Sequence, residues 1–209
     1  MDGLILVDLQ NDFFENGALA VPKSNEILEP INKILDSFKL VIATQDWHPS
    51  DHRSFASNNT GVSVGELIEL DGLTQIMWPD HCVQGSFGAM FHSNLKTQKI
   101  VKVFQKGCNI NVDSYSGFYD NAKRGDTGLK SYLNKMNVNR LFIAGLATDY
   151  CVKFTALDSV ASGFETFLIK DCCRAVNLDA DDERSAIKSM RDYGVNIVES
   201  SMLASLLNP

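Results

Sequence analysis

The chain's 209 residues, 44% apolar and 22% charged, are enough to bury a sizeable core within the size range of one domain, so a single domain over residues 1–209 is expected. A formal net charge of −7 at pH 7, with no run of Lys and Arg, argues against a nucleic-acid partner, because phosphate binding needs a basic face. No apolar stretch reaches the roughly 18 residues of a membrane span and no signal-peptide pattern follows Met1, so a cytoplasmic chain without a membrane partner is expected.

Gly3–Asp8 reads as a first strand, almost wholly apolar, as suits a strand covered on both faces. A helix follows near Ser24–Phe38, with Ile27, Ile31, Ile34, Leu35 and Phe38 on one side; Pro30 marks either a kink or a later start. Leu40–Thr44 and Ile100–Phe104 are the second and third strands. Over fifty residues separate them with little periodicity, and they contain Trp47-His48-Pro49 and Trp78-Pro79. Loops this long in a compact domain are functional or disordered, and the aromatics and histidines favour function. The alternation then becomes regular: helix Thr127–Met136, strand Arg140–Ala144, helix Thr148–Ser162, strand Glu165–Ile169. Helix Asp179–Tyr193 follows, capped by Gly194, then strand Val195–Val198 and a closing helix Met202–Leu207. Repeated βα units imply an α/β fold with a parallel sheet covered by helices on both faces.

In open α/β sheets, ligands bind beyond the carboxyl ends of the strands. Asp8, Asp46, His48, Lys106 and Cys151 all fall there, at the ends of four different strands. Cys151 closes the run Gly145-Leu-Ala-Thr-Asp-Tyr-Cys151; with Thr148 as N-cap it occupies the third helical position, where the helix dipole and free N–H groups favour a thiolate and an oxyanion. The plainer alternative is a buried thiol packing helix to sheet. The five cysteines are odd in number and lack CxxC spacing, which disfavours a disulfide framework and a zinc finger. Asp8 ends an apolar strand and needs a partner; Lys106 can supply it, leaving Asp8 as general base to the thiol. Asp12 reads as structural.

Asp46, His48, His52 and His81 form a second constellation, which holds three of the chain's four histidines. Two imidazoles and a carboxylate suit zinc, iron or manganese with positions left open, although loop histidines satisfied by hydrogen bonds give the same pattern. His92 stands apart and reads as structural. Phe13, Trp78 and Tyr115 are the aromatics nearest these motifs and are candidates for stacking on a flat ring; plain core packing is the alternative.

Six ordered segments, LILVDLQNDF, TQDWHPSDHRSF, WPDHCVQGSFGA, QKGCNINVDSYSGF, GLATDYCVKFTALD and KDCCRAV, resemble the nicotinamidase branch of the isochorismatase-like hydrolases over nearly the whole chain. The resemblance implies six parallel strands in the order 3-2-1-4-5-6 and a triad of Asp8, Lys106 and Cys151. It implies metal ligation by Asp46, His48 and His81, with His52 matching a position that contacts the metal in some relatives. It also implies an oxyanion hole from the N–H groups of Ala147 and Cys151, a cis peptide just before the nucleophile's turn, and Phe13 and Trp78 flanking the substrate ring. The implied reaction converts nicotinamide to nicotinate and ammonia through a cysteine thioester. Pyrazinamide is the implied second substrate, and a role in NAD salvage follows from the activity. One divalent ion, zinc before iron or manganese, would position the pyridine ring, and homo-oligomerisation is left open. The rival readings are an amidase for carbamoyl compounds, a non-haem iron oxygenase, and a catalytically silent binding protein on the same scaffold.

Overall fold

The structure is a computed structural model that describes residues 1–207. Strand β1 (Asp2–Val7) leads to a helical stretch from Ser24 to Ser37, in which short 3-10 turns flank α1 (Leu28–Ile34). Pro30 falls in the first turn of α1, where its missing N–H breaks no intrahelical bond. β2 (Leu40–Asp46), β3 (Leu67–Leu70), β4 (Leu73–Ile76) and β5 (Lys102–Lys106) follow. Next come α2 (Leu129–Lys135), β6 (Arg140–Leu146), α3 (Lys153–Ala161), β7 (Glu165–Arg174), α4 (Asp182–Asp192), β8 (Asn196–Val198) and α5 (Leu203–Leu207). Among the described residues, no helix is long and apolar enough to cross a membrane.

Six strands form one parallel sheet in the order β5-β2-β1-β6-β7-β8, which is the expected 3-2-1-4-5-6 once β3 and β4 are set aside. Alternate residues of β1 serve opposite faces. Leu4 and Leu6 pack with Ile31 and Ile34 of α1 and Leu203 of α5, whereas Ile5 and Val7 pack with Leu129 of α2, Ala156 of α3 and Met190 of α4. Helices therefore cover both sides, and the apolar run of β1 has no solvent face.

The departures from expectation all bear on the site. β2 reaches Asp46 and β5 reaches Lys106, beyond the expected ends at Thr44 and Phe104, and this makes Asp46 and Lys106 register partners. β7 runs on to Arg174, past the expected Ile169, because its pairing with β6 jumps from Ile143↔Leu168 to Gly145↔Cys173. At that jump a Cβ on Gly145 would lie 2.1 Å from the Val7 carbonyl oxygen, so only glycine lets β6 pass β1 there. The helix expected from Thr148 begins instead as a π-helical turn, Thr148–Val152, and becomes α3 at Lys153. The long stretch between β2 and β5 holds an unforeseen antiparallel hairpin, β3–β4, closed by Asp71 (φ 51°) and Gly72 (φ 81°). Two successive left-handed residues make the two-residue turn that Asp-Gly favours.

Candidate active site

Asp8 follows β1 with φ 49°, a left-handed turn that sets its fully buried carboxylate among the neighbouring strand ends. Thr44 Oγ1 donates to its Oδ1 at 2.6 Å. Lys106 lies at the focus: its Nζ is 2.9 Å from Asp8 Oδ2, 2.5 Å from Asp46 Oδ1, 2.9 Å from the Ser114 carbonyl oxygen and 3.3 Å from Cys151 Sγ. Burial works against the Lys106 charge, but Asp46, Asp8 and Cys151 together raise its pKa well above the ordinary lysine range. The expected pairing of Lys106 with Asp8 is present. The additional bond to Asp46 joins the two expected constellations into one.

Cys151 is placed otherwise than a helix-start thiolate. It is the fourth residue of the π-helical turn, whose cap is the extended Ala147 (φ −101°, ψ 149°), and not a residue of an α-helix's first turn. Burial pushes its thiol well above the usual cysteine range; Lys106 opposes this, and the carboxylates of Asp8 and Asp46 reinforce it. Burial and the two carboxylates therefore disfavour the thiolate, and the Lys106 ammonium 3.3 Å from the sulfur favours it. Asp8 is itself raised by burial, with Lys106 pulling the other way. Its Oδ2 meets Lys106 as an ion pair without an aligned hydrogen bond, and an Asp8 carboxylate oxygen lies within 4.8 Å of Sγ. A carboxylate able to accept a proton therefore stands beside the nucleophile. The Leu146–Ala147 peptide is cis.

Asp46 ends β2 and is clamped by Gln10, which accepts from the Asp46 N–H at 2.8 Å and donates to its carbonyl at 2.8 Å. His48 Nδ1 donates to the Gly107 carbonyl at 2.9 Å, and His81 Nδ1 to the Pro79 carbonyl at 2.8 Å. A carbonyl only accepts, so both rings carry a proton on Nδ1 and direct Nε2 toward Asp46. Those two nitrogens lie 3.6 and 3.9 Å from Asp46 Oδ2, too far for hydrogen bonds. Ligands about 2.0–2.2 Å from one tetrahedral ion would be roughly 3.3–3.6 Å apart, close to the spacing present. The Asp46 carboxyl is held very low: burial opposes its charge, but Lys106, His48 and His81 outweigh it. Burial, then His48, push His81 down to about 4, leaving that ring neutral. Burial works against a charge on His48, but Asp46 and Asp113 together raise it.

Gly107 (φ 64°) is required here, since a Cβ would come within 2.3 Å of His48 Cε1. His52 lies beside this set with its ring centroid 4.7 Å from that of His48. Its Nδ1 pairs with Ser54 Oγ at 2.7 Å, and its buried Nε2 has no partner. His48, His52 and Asp113 form a second close group of metal-competent atoms. His92 tilts against Phe14 with ring centroids 4.4 Å apart, and Asp12 accepts from the Cys82 N–H at 2.7 Å.

Phe13, Trp78 and Tyr115 converge on one small cavity, which Asp46, His81, Ala147 and Cys151 also line. Larger hollows at the opposite end of the sheet and on its flank contain none of these residues. Leu19, Asp113, Tyr150 and Val176 also line the cavity and were not anticipated. Tyr150 adjoins Cys151 in sequence and its T-shaped contact with Trp78, at 5.0 Å, was open to anticipation; Leu19, Asp113 and Val176 carry no local signal.

The description "Isochorismatase domain" matches residues 2–202. The chain is 46% identical to a nicotinamidase of Escherichia coli (strain K12) over 93% of this chain and 92% of that protein. It superposes on a nicotinamidase/pyrazinamidase of Acinetobacter baumanii with TM-score 0.94 and 39% identity, covering 97% of each chain. A pyrazinamidase of Pyrococcus horikoshii in complex with zinc gives TM-score 0.78 and 35% identity over 95% of this chain and 98% of that one.

Proposed function

The chain belongs to the isochorismatase family, and from that premise we propose that it is a nicotinamidase, hydrolysing nicotinamide to nicotinate and ammonia through a thioester on Cys151. The observation that carries this reading is the contact of Lys106 Nζ with both Cys151 Sγ (3.3 Å) and Asp8 Oδ2 (2.9 Å) on the wall of an aromatic cavity. Asp8 takes the thiol proton as the sulfur attacks the amide carbonyl carbon. The carbonyl oxygen becomes an oxyanion held by the N–H groups of Ala147 and Cys151. Collapse of this intermediate breaks the C–N bond, and the departing nitrogen takes the proton back from Asp8 and leaves as ammonia. Water then attacks the thioester with Asp8 again as base, releasing nicotinate and returning the proton to sulfur. Burial raises Asp8 and Lys106 opposes it, which suits a group that must both accept and return a proton. Lys106 supplies the positive charge that makes an ionised Asp8 tolerable in a buried site.

Asp46, His48 and His81 would hold one divalent ion through Oδ2 and two Nε2 atoms, with His52 a further donor beside them. The donor set fits zinc, iron or manganese, and the zinc-bound pyrazinamidase supports zinc first. When bound, the ion would fix the pyridine nitrogen and so orient the ring. Phe13, Trp78 and Tyr115 would enclose the ring, and pyrazinamide is a second substrate of the same shape.

The test is ammonia release from nicotinamide by the purified, metal-loaded protein and by Cys151→Ala. Turnover should fall on the order of 10⁴-fold or more in the variant, with unchanged metal content. Comparable turnover in the variant would end the thioester mechanism, and a wild-type protein inert toward nicotinamide would end the assignment.

A further inference from the structure

Asp149 is a buried carboxylate to which the thioester chemistry gives no task, two residues before the nucleophile on the same π-helical turn. Both of its oxygens are engaged outside that turn. Oδ1 accepts from the Val176 N–H at 3.0 Å and Oδ2 from the Asn177 N–H at 2.8 Å. Neither N–H has another acceptor among the described residues, and no other hydrogen bond among them joins 175–181 to the turn. Val176 lines the cavity that holds Cys151. Beyond it the chain turns away: Asn177 is left-handed (φ 54°), and its Oδ1 accepts from the Glu183 N–H at 3.0 Å, in the first turn of α4. The nucleophile's turn has bonds of its own, from the Tyr150 and Val152 N–H groups to the Ala147 carbonyl at 3.1 Å each. Loss of the Asp149 carboxylate therefore releases Val176 and leaves Cys151 in place.

We infer that Asp149 is a positioning residue that fixes Val176 against the nucleophile's turn and so sets how the cavity closes on the bound amide. The inference rests on the amidase reading of this cavity. Two adjacent N–H donors need two acceptors, which a carboxylate supplies and a carboxamide does not. Asp149→Asn keeps the size of the side chain and turns one of the two contacts into donor against donor.

The test is steady-state ammonia release from nicotinamide by the metal-loaded protein, by Asp149→Asn, by Val176→Ala and by the double variant. Alkylation of Cys151 with iodoacetamide reports separately on the nucleophile. Each single variant should raise KM about 3- to 10-fold, the size of one neutral hydrogen bond or of the methyl groups withdrawn from the ring. The kcat and the alkylation rate should stay within about twofold of wild type. The double variant should lie within about twofold of the poorer single one, because both changes remove the same wall. KM effects that multiply in the double variant, or a fall in kcat and alkylation rate with KM unmoved, would overturn the inference and leave the amidase reading intact. Val176→Ala keeps both carboxylate bonds, so an unchanged KM there overturns the inference even where Asp149→Asn does not fold. A wild-type protein inert toward nicotinamide would overturn the amidase reading as well.

Discussion

Asp8, Lys106 and Cys151 stand at or just beyond the ends of strands in the middle of a parallel sheet, whereas His48, His52 and His81 are carried by a stretch of chain whose only regular strands form a detached hairpin. The first group inherits its spacing from backbone ladders: Asp46↔Lys106 and Val7↔Gly145 are register partners. The second is held by single contacts, notably the Gly107 and Pro79 carbonyls on Nδ1 and an isolated bridge between His48 and Val83. A bond-forming step loses rate steeply with small displacements, so its groups belong on rigid elements. A metal ion organises its own ligands and tolerates a looser frame. Lys106 belongs to both, since it is bonded at once to Asp8 and Asp46.

That shared role supplies the largest effect. Lys106→Met would leave two buried carboxylates uncompensated, and removing one partner of a buried ion pair costs about 3–5 kcal/mol. Turnover, metal content and unfolding midpoint should fall together. A variant that lost turnover but kept metal content and stability would show that the two halves are independent after all.

Gly107→Ala should separate them. Its Cβ would meet His48 Cε1 at 2.3 Å in a left-handed backbone, at a cost of roughly 1–3 kcal/mol. Metal content measured by elemental analysis should fall, while Cys151 should still react with a small alkylating agent at about the wild-type rate. If alkylation slowed as much as metal was lost, the loop would be holding the nucleophile as well.

The same division governs what was legible in sequence. The six strands and the convergence of Asp8, Asp46, Lys106 and Cys151 followed from apolar runs at βα spacing, because those strands are buried on both faces, whereas the strand order came from the resemblance of the motifs. The hairpin was missed because Leu67 is 67% exposed and the buried residue of β4 is the polar Gln75, so no apolar face announces it. Asp71-Gly72 was the available signal. The Asp46–Lys106 bond depends on strand register, and the electrostatic setting of the Cys151 thiol depends on carboxylates and a lysine that come from distant sequence; periodicity reports neither.

The smallest effect sharpens the comparison from the far end of the same strands. Arg140 donates to both carboxylate oxygens of Asp2, at 2.7 and 2.6 Å, where β1 and β6 begin. That hydrogen bond, against the opposing effect of burial, lowers the Asp2 pKa below 3.8. A carboxyl whose folded pKa is depressed contributes stability above its unfolded pKa and loses it as pH falls through the folded value. The pair is about a quarter exposed, so solvent screening keeps the contribution under about 1 kcal/mol. Asp2→Asn should therefore lower the urea midpoint slightly at pH 6, and the gap to wild type should close as pH falls below about 4. Its kcat should be unchanged, because the ladder between Asp2 and the catalytic end of β1 carries no strain from a lost surface contact. A variant folded as stably as predicted yet slower in turnover would mean that the strand ends are not independent, and the sheet would lose its standing as the rigid half of the site.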